Sequence, residues 1–279
     1  MRILAMSDLH HEFLRGMASS SREFMELVDY PSPTGPVDFV ALAGDIDTGT
    51  RGVAWAGTLA QKFGVPVAYV PGNHEFYGHD YVRLMDELRQ EAAAQGVLLL
   101  QNDEVRIGGV RFLGCTLWTD FLAWPFDADS GNVRSTPADA WYNMKHASKR
   151  MNDFQYIRRG DARFTPQASL ELHRESRKFL DEKLARPFEG PTIVVTHHGP
   201  HPLCSHPRFG ANQLGAAFWS DLGLLIALYG PDLWVYGHTH SALDTRVGQT
   251  RLYSNQRGYV FDPVPGFDPA HIIEIAGKS

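Results

Sequence analysis

Short, almost wholly apolar runs recur along the chain at residues 2–6, 37–42, 65–70, 110–115, 193–196 and 233–236. Each is four to six residues long, the length and composition of a strand covered on both faces. Between them lie segments with helical spacing, at 21–29, 53–63, 79–95, 167–185 and 216–228. Strands alternating with helices predict an α/β fold. The tail departs from this pattern. Residues 242–247 and 250–253 flank Gly248-Gln249, a hairpin signal, and 270–275 reads as one more strand. Residues 119–165 show no clear period and carry Phe121, Trp124, Phe126, Trp141, Tyr142, Phe154 and Tyr156. So many aromatics argue against disorder, and a long irregular excursion in a compact fold predicts a partly helical insertion or lid. The chain therefore reads as a single domain, 1–279, with 119–165 inserted.

Five of the runs end in polar residues: Ser7-Asp8-Leu9-His10, Gly44-Asp45-Ile46-Asp47, Gly72-Asn73-His74-Glu75, Thr196-His197-His198-Gly199 and Gly237-His238-Thr239-His240. An open α/β sheet binds ligands at the carboxyl ends of its strands, so these groups are expected at one edge. Thirteen histidines, clustered beside Asp and Asn, are a metal-site signal. Carboxylate and amide oxygens with imidazole nitrogens suit zinc, manganese or iron. Seven candidate ligands, Asp8, His10, Asp45, Asn73, His197, His238 and His240, exceed the need of one tetrahedral ion and match two ions sharing a carboxylate. In Asp8-x-His10 and His238-x-His240 the alternation of an extended segment points i and i+2 the same way.

These five blocks, in this order over residues 8–240, resemble the calcineurin-like metallophosphoesterase superfamily. The resemblance implies a four-layer αββα sandwich of two mixed β-sheets with helices outside. It also implies roles. Asp8, His10 and His240 would hold one divalent ion, and Asn73, His197 and His238 the other, with Asp45 between them. His197 and His198 compete for one position; His197 directly follows the strand, where the family's ligand sits, which leaves His198 as a neighbour facing substrate. A water acidified by both ions would attack phosphorus in line, and His74 would assist the leaving group, a task suited to imidazole. Asp47 and Glu75 are candidates for orienting a ligand or catalytic histidine from behind, and Arg257 is a candidate phosphate contact.

Departures narrow the branch. Thr48 stands where the protein phosphatases carry an Arg after their second Asp block, and His74 stands where the lipid-A diphosphatase branch has Arg. What remains resembles the small bacterial phosphodiesterase-like members, and 254–259 (Ser-Asn-Gln-Arg-Gly-Tyr) resembles the closing segment of one such subgroup. Other polar residues have plainer readings: His11 packed or exposed beyond a ligand, His79 starting a helix, His201 and His206 in a proline-rich loop, and Arg158-Arg159 a solvated pair.

The formal charge of −6 disfavours a broad nucleic-acid surface. Two cysteines without Cys-x-x-Cys spacing exclude a zinc ribbon or dithiol site. No run is long enough to cross a bilayer, and the apolar start ends at Asp8 without a cleavage pattern. The expectation is a cytoplasmic hydrolase of small phosphoesters, phosphodiesterase or phosphomonoesterase, needing two divalent ions (manganese, iron or zinc) and no membrane. The alternatives are a metal-dependent nuclease and, in another class, a non-catalytic phosphate- or metal-binding regulatory module.

Overall fold

The computed structural model describes residues 1–127, 132–133, 135–208 and 212–276. Eleven strands form two mixed sheets. The first contains β1 (Arg2–Met6), β2 (Phe39–Leu42), β3 (Val67–Tyr69), β4 (Leu98–Leu99) and the last strand, β11 (Ile272–Glu274). β1 to β4 run parallel, and β11 lies antiparallel on the outer edge of β1. The second contains β5 (Asp103–Ile107), β6 (Val110–Cys115), β7 (Thr192–Thr196), β8 (Leu233–Val235), β9 (Leu243–Val247) and β10 (Thr250–Ser254), in the order β9-β10-β8-β7-β6-β5. Its central strands β6, β7, β8 and β10 are parallel, and both edges are antiparallel.

Side-chain alternation makes the layers. Ile3, Ala5, Phe39, Ala41 and Ala68 of the first sheet face Phe112, Ile193, Val195, Leu233 and Val235 of the second, all buried. Phe39 and Phe112 stack with centroids 4.0 Å apart. The intervening residues Leu4, Met6, Val40, Leu42 and Tyr69 face helices α3 (Arg51–Phe63) and α4 (Tyr81–Gln95). On the far side Leu113, Val194 and Trp234 face α7 (Pro166–Leu184) and α8 (Gly223–Tyr229). The result is the expected αββα sandwich. Each fully buried Leu, Val or Phe contributes about 1.5–3 kcal/mol, so the strands are fixed from both faces and their carboxyl ends form a rigid rim.

Three local features differ from the pattern reading. A seven-residue helix, α1 (His11–Met17), starts immediately after His10 and is too short to show a period; α2 (Ser21–Leu27) follows it. Residues 216–228 are not one helix but a 3-10 turn (Gln213–Ala217) and then α8. The break arises because Trp219 bridges to Gly199 and the Ser220 amide donates to the Gly199 carbonyl at 3.0 Å. β5 pairs with β6 through Gly108-Gly109, both at positive φ, and its half-exposed Asp-Glu-Val-Arg-Ile sequence lacks the apolar signature of the central strands.

The insertion contains α5 (Pro137–Arg150), α6 (Asp153–Tyr156) and a small ribbon, Arg158–Arg159 with Ala162–Arg163. Residues 128–131 and 134 of the expected 119–165 segment, and 277–279 at the end, lie outside the described residues, as does the side chain of Phe126. Thr136 and Asp139 cap α5 reciprocally. Asn143 donates to the carbonyls of Phe121 (2.9 Å) and Trp124 (2.7 Å), tying the helix to the loop before it. Phe121 and Phe154 are buried with Phe164 and Trp118, whereas Trp141, Tyr142 and Tyr156 are exposed.

Candidate metal centre

The predicted ligands come from both sheets and meet at one rim. Asp8 and His10 follow β1, Asp45 follows β2, Asn73 follows β3, His197 follows β7, and His238 and His240 follow β8. Five of them have left-handed backbone: Asp8 (φ 53°), His10 (48°), Asp45 (54°), His238 (69°) and His240 (48°). Each such residue costs on the order of 1 kcal/mol and persists only where its surroundings dictate it. Here the Asp8 amide donates to the Gly44 carbonyl and that of His10 to the Asp45 carbonyl, both at 3.0 Å. The His238 amide donates to Asp8 Oδ1 at 3.0 Å, and the His74 amide to Asp45 Oδ1 at 2.8 Å. Beneath them the buried Glu75 carboxylate accepts from the amides of Asp45 (3.1 Å), Ile46 (2.9 Å) and Gly72 (2.7 Å) and from the Tyr69 hydroxyl (2.6 Å). Glu75 thus holds the loop backbone rather than a histidine ring.

The side chains converge in two groups, Asp8/His10/His240 and Asp45/His197/His238, each with its ligand atoms within 4.8 Å of one another. His10 Nε2 and His240 Nε2 are 3.1 Å apart. His197 Nε2 is 2.9 Å from Asn73 Oδ1 and 3.4 Å from Asp45 Oδ1. Asp45 stands between the groups, its Oδ2 4.0 Å from His10 Nε2.

These residues fit divalent cations. Buried nitrogens and oxygens aimed at each other without enough protons are costly unless a positive charge lies among them. His238 Nε2 is buried and has no hydrogen-bond partner among the described residues. His197 Nδ1 lies 2.9 Å from the Ala43 carbonyl, so both ring nitrogens face oxygens. Burial opposes charge on His197, yet the Asp45 carboxylate lifts it to about 10; the protein calls for a positive charge at this point. Space has been kept as well. A Cβ on Gly72 would lie 2.1 Å from Asp45 Oδ1, and one on Gly237 2.6 Å from Asp8 Oδ2. Mixed oxygen and imidazole donors suit zinc, manganese or iron.

His74 lies beside this cluster, 9% exposed at its side chain, with Nε2 3.4 Å from the Tyr259 hydroxyl and 4.0 Å from Asp45 Oδ2. Burial opposes its charged form, but Asp45 and Glu12 raise it to about 9. A cavity of about 830 Å³ opens above Asp45, Asn73, His74, His238 and His240. Its walls include Met151, Leu214, Phe218, Tyr259 and Val264, with Arg150, His206 and Arg208 also facing it.

Other candidates lie elsewhere. Asp47 pairs with Arg15 and Arg51 and accepts from the Thr48 amide. Arg257 Nη1 donates to the Leu9 carbonyl at 2.9 Å. His198 is buried, its Nδ1 3.1 Å from the Thr116 carbonyl and its ring against Trp118 and His238. His11 packs on Trp55, with Nε2 3.0 Å from the Tyr30 hydroxyl, and burial pushes it down to about 3. Sequence reasoning missed Glu12, Asp153 and Tyr77. Asp8, His10, His238 and His240 are left-handed rather than extended, so the alternation expected for these pairs does not hold, and Glu12, in the first turn of α1, had no such signal; nothing local marked Asp153, whose partner Asn73 is eighty residues away.

A two-sheet sandwich gathering Asp, Asn and His at one rim is the layout of a metal-dependent phosphoesterase. Residues 1–242 match the calcineurin-like phosphoesterase family, and the chain belongs to it: it is a metal-dependent phosphoester hydrolase. An uncharacterized protein of Acanthamoeba polyphaga mimivirus is 26% identical over 297 residues, spanning 99% of this chain and 97% of that one. The crystal structure of a phosphopantetheinyl hydrolase from Mycobacterium tuberculosis shares the fold with a TM-score of 0.65 and 19% identity, over 92% of this chain and 89% of that one. No helix among the described residues is long and apolar enough to cross a membrane.

Proposed function

We propose that the protein is a dinuclear phosphodiesterase acting on small phosphoesters, with Asp8, His10 and His240 on one ion, Asn73, His197 and His238 on the other, and Asp45 shared. The observation that carries this reading is the placement of Asp45, with one oxygen toward His197 and the other toward His10, under the cavity. When bound, two divalent ions, manganese being the first to try, would polarise the phosphoryl oxygens and acidify water near neutral pH.

The chain's own residues supply the rest. His74 presents Nε2 toward the cavity beside Tyr259, where it donates a proton to the departing oxygen. At about 830 Å³ the cavity exceeds what one phosphate needs, and its apolar walls favour a diester with a sizeable arm over a bare monoester. The insertion, through Arg150, Met151 and Asn152, forms one wall and acts as the lid of a single domain. A nuclease is disfavoured by the net charge of −6. Two buried free thiols, Cys115 and Cys204, support a reducing, cytoplasmic setting.

The test is hydrolysis of bis(p-nitrophenyl) phosphate and p-nitrophenyl phosphate by metal-stripped protein titrated with manganese. Manganese-restored cleavage of the diester is expected. Cleavage of the monoester alone makes the protein a phosphatase, and metal binding without cleavage of either points to a binding module.

A further inference from the structure

Glu12 leaves the first turn of α1 and turns back into the site. Its Oε1 lies 2.9 Å from His74 Nδ1 and 3.1 Å from His10 Nδ1. One carboxylate oxygen therefore meets two imidazoles, whose rings cross at 69° with centroids 4.4 Å apart. Oε2 is buried without a hydrogen-bond partner among the described residues, so Glu12 has no competing structural partner there. An acceptor at Nδ1 fixes the ring: Nδ1 carries hydrogen, and Nε2 is the atom left for chemistry. For His74 that atom faces the cavity beside the Tyr259 hydroxyl. For His10 it faces His240.

We propose that Glu12 is the positioning residue that aims His74 Nε2 at the leaving oxygen. This rests on the phosphodiesterase reading above. In the step concerned the leaving oxygen keeps the electron pair of its broken P–O bond and takes the Nε2 proton. Water supplies the oxygen of the new P–O bond and releases its proton to solvent, from which His74 is recharged.

A residue that aims a proton donor matters most when the leaving group is basic. With saturating manganese and metal content measured throughout, Glu12→Ala is expected to lower kcat about 10²-fold on diphenyl phosphate. On bis(p-nitrophenyl) phosphate, whose leaving group needs little help, the loss should be under about fivefold. Glu12→Gln keeps an acceptor oxygen without the charge, and is expected to recover about tenfold of the diphenyl phosphate rate. Adding Glu12→Ala to His74→Ala should cost almost nothing further, because the two act as one unit. Equal losses on both diesters, or a loss that tracks manganese content, overturn the positioning role while leaving the phosphodiesterase reading intact. Wild-type protein inactive on both diesters overturns that reading and this inference together.

Discussion

Asp153 accepts a hydrogen bond of 2.8 Å from the side-chain amide of Asn73, and one of 2.7 Å at the same oxygen from the Tyr77 hydroxyl. The insertion thus reaches the candidate metal centre and, with the Tyr77 hydroxyl, sets which way Asn73 turns, with its Oδ1 directed at His197 Nε2. Asp153→Ala removes one of the two acceptors of the Asn73 amide, leaving only the Tyr77 hydroxyl at 3.0 Å, and takes away the acceptor of that hydroxyl. Manganese affinity at the Asn73 group should fall about 10–100-fold, as for other residues that orient a ligand. Calorimetric titration checks this: an unchanged isotherm removes Asp153 from the support of the site. Since α6 provides this contact, deleting the whole insertion should weaken metal binding as well as alter substrate preference.

Gly72 sets the spacing between β2 and β3 at the rim. A methyl group there would sit 2.1 Å from Asp45 Oδ1 and 2.8 Å from His197 Cε1. Neither side chain can yield without leaving its hydrogen bonds, to the His74 amide and the Ala43 carbonyl respectively. Gly72→Ala should abolish binding of at least one ion and reduce turnover to background, although every ligand remains in the sequence. Circular dichroism and metal analysis on one sample separate this from unfolding; a folded variant with full metal content contradicts it.

The convergence of the candidate ligands was legible because strand ends are marked twice, by an apolar run and by the Asp, Asn or His that follows it. Asp8 and His10 after β1 are the clearest case. The supports were not legible to the same degree. Asp153 sits in an aperiodic stretch, and its role depends on a contact made only when α6 comes beside the loop that follows β3. Glu75 reads in the sequence as a candidate for orienting a ligand or a histidine, whereas the folded loop presents it with three amides and the Tyr69 hydroxyl. Boundaries shifted where tertiary contacts outweighed local pattern, as at Trp219, whose bridge to Gly199 ends a helical run that spacing alone would continue.

Glu75 tests how far the loops depend on one buried acceptor. Its carboxylate meets three amides and a hydroxyl, all donors. Glu75→Gln places an amide NH₂ against some of them, so an isosteric change still leaves buried donors unsatisfied. The cost should be about 3 kcal/mol, which lowers Tm by roughly 6–12 °C in a chain of this size. A Tm within about 1 °C of wild type would falsify the account of Glu75 as the acceptor on which the left-handed turn at Asp45 rests.

Metal binding should be steeply pH-dependent, and His197 sets the direction. Burial disfavours its charge, but Asp45 overrides this and raises the ring to about 10 in the metal-free protein. A raised histidine pKa stabilises the fold fully below the unfolded value, about 6.5, and that contribution is lost as pH climbs through about 10. An incoming cation must displace this proton. Between these two pH values the apparent affinity of the Asp45/Asn73/His197/His238 group should therefore rise about tenfold per pH unit, one proton being released per ion bound. Above pH 10 the dependence should flatten. Calorimetry in buffers of different ionisation enthalpy counts the protons directly. Release of about one proton at pH 8 is expected; release of none would mean that His197 is already neutral before the metal arrives, and that Asp45 does not hold its charge against burial.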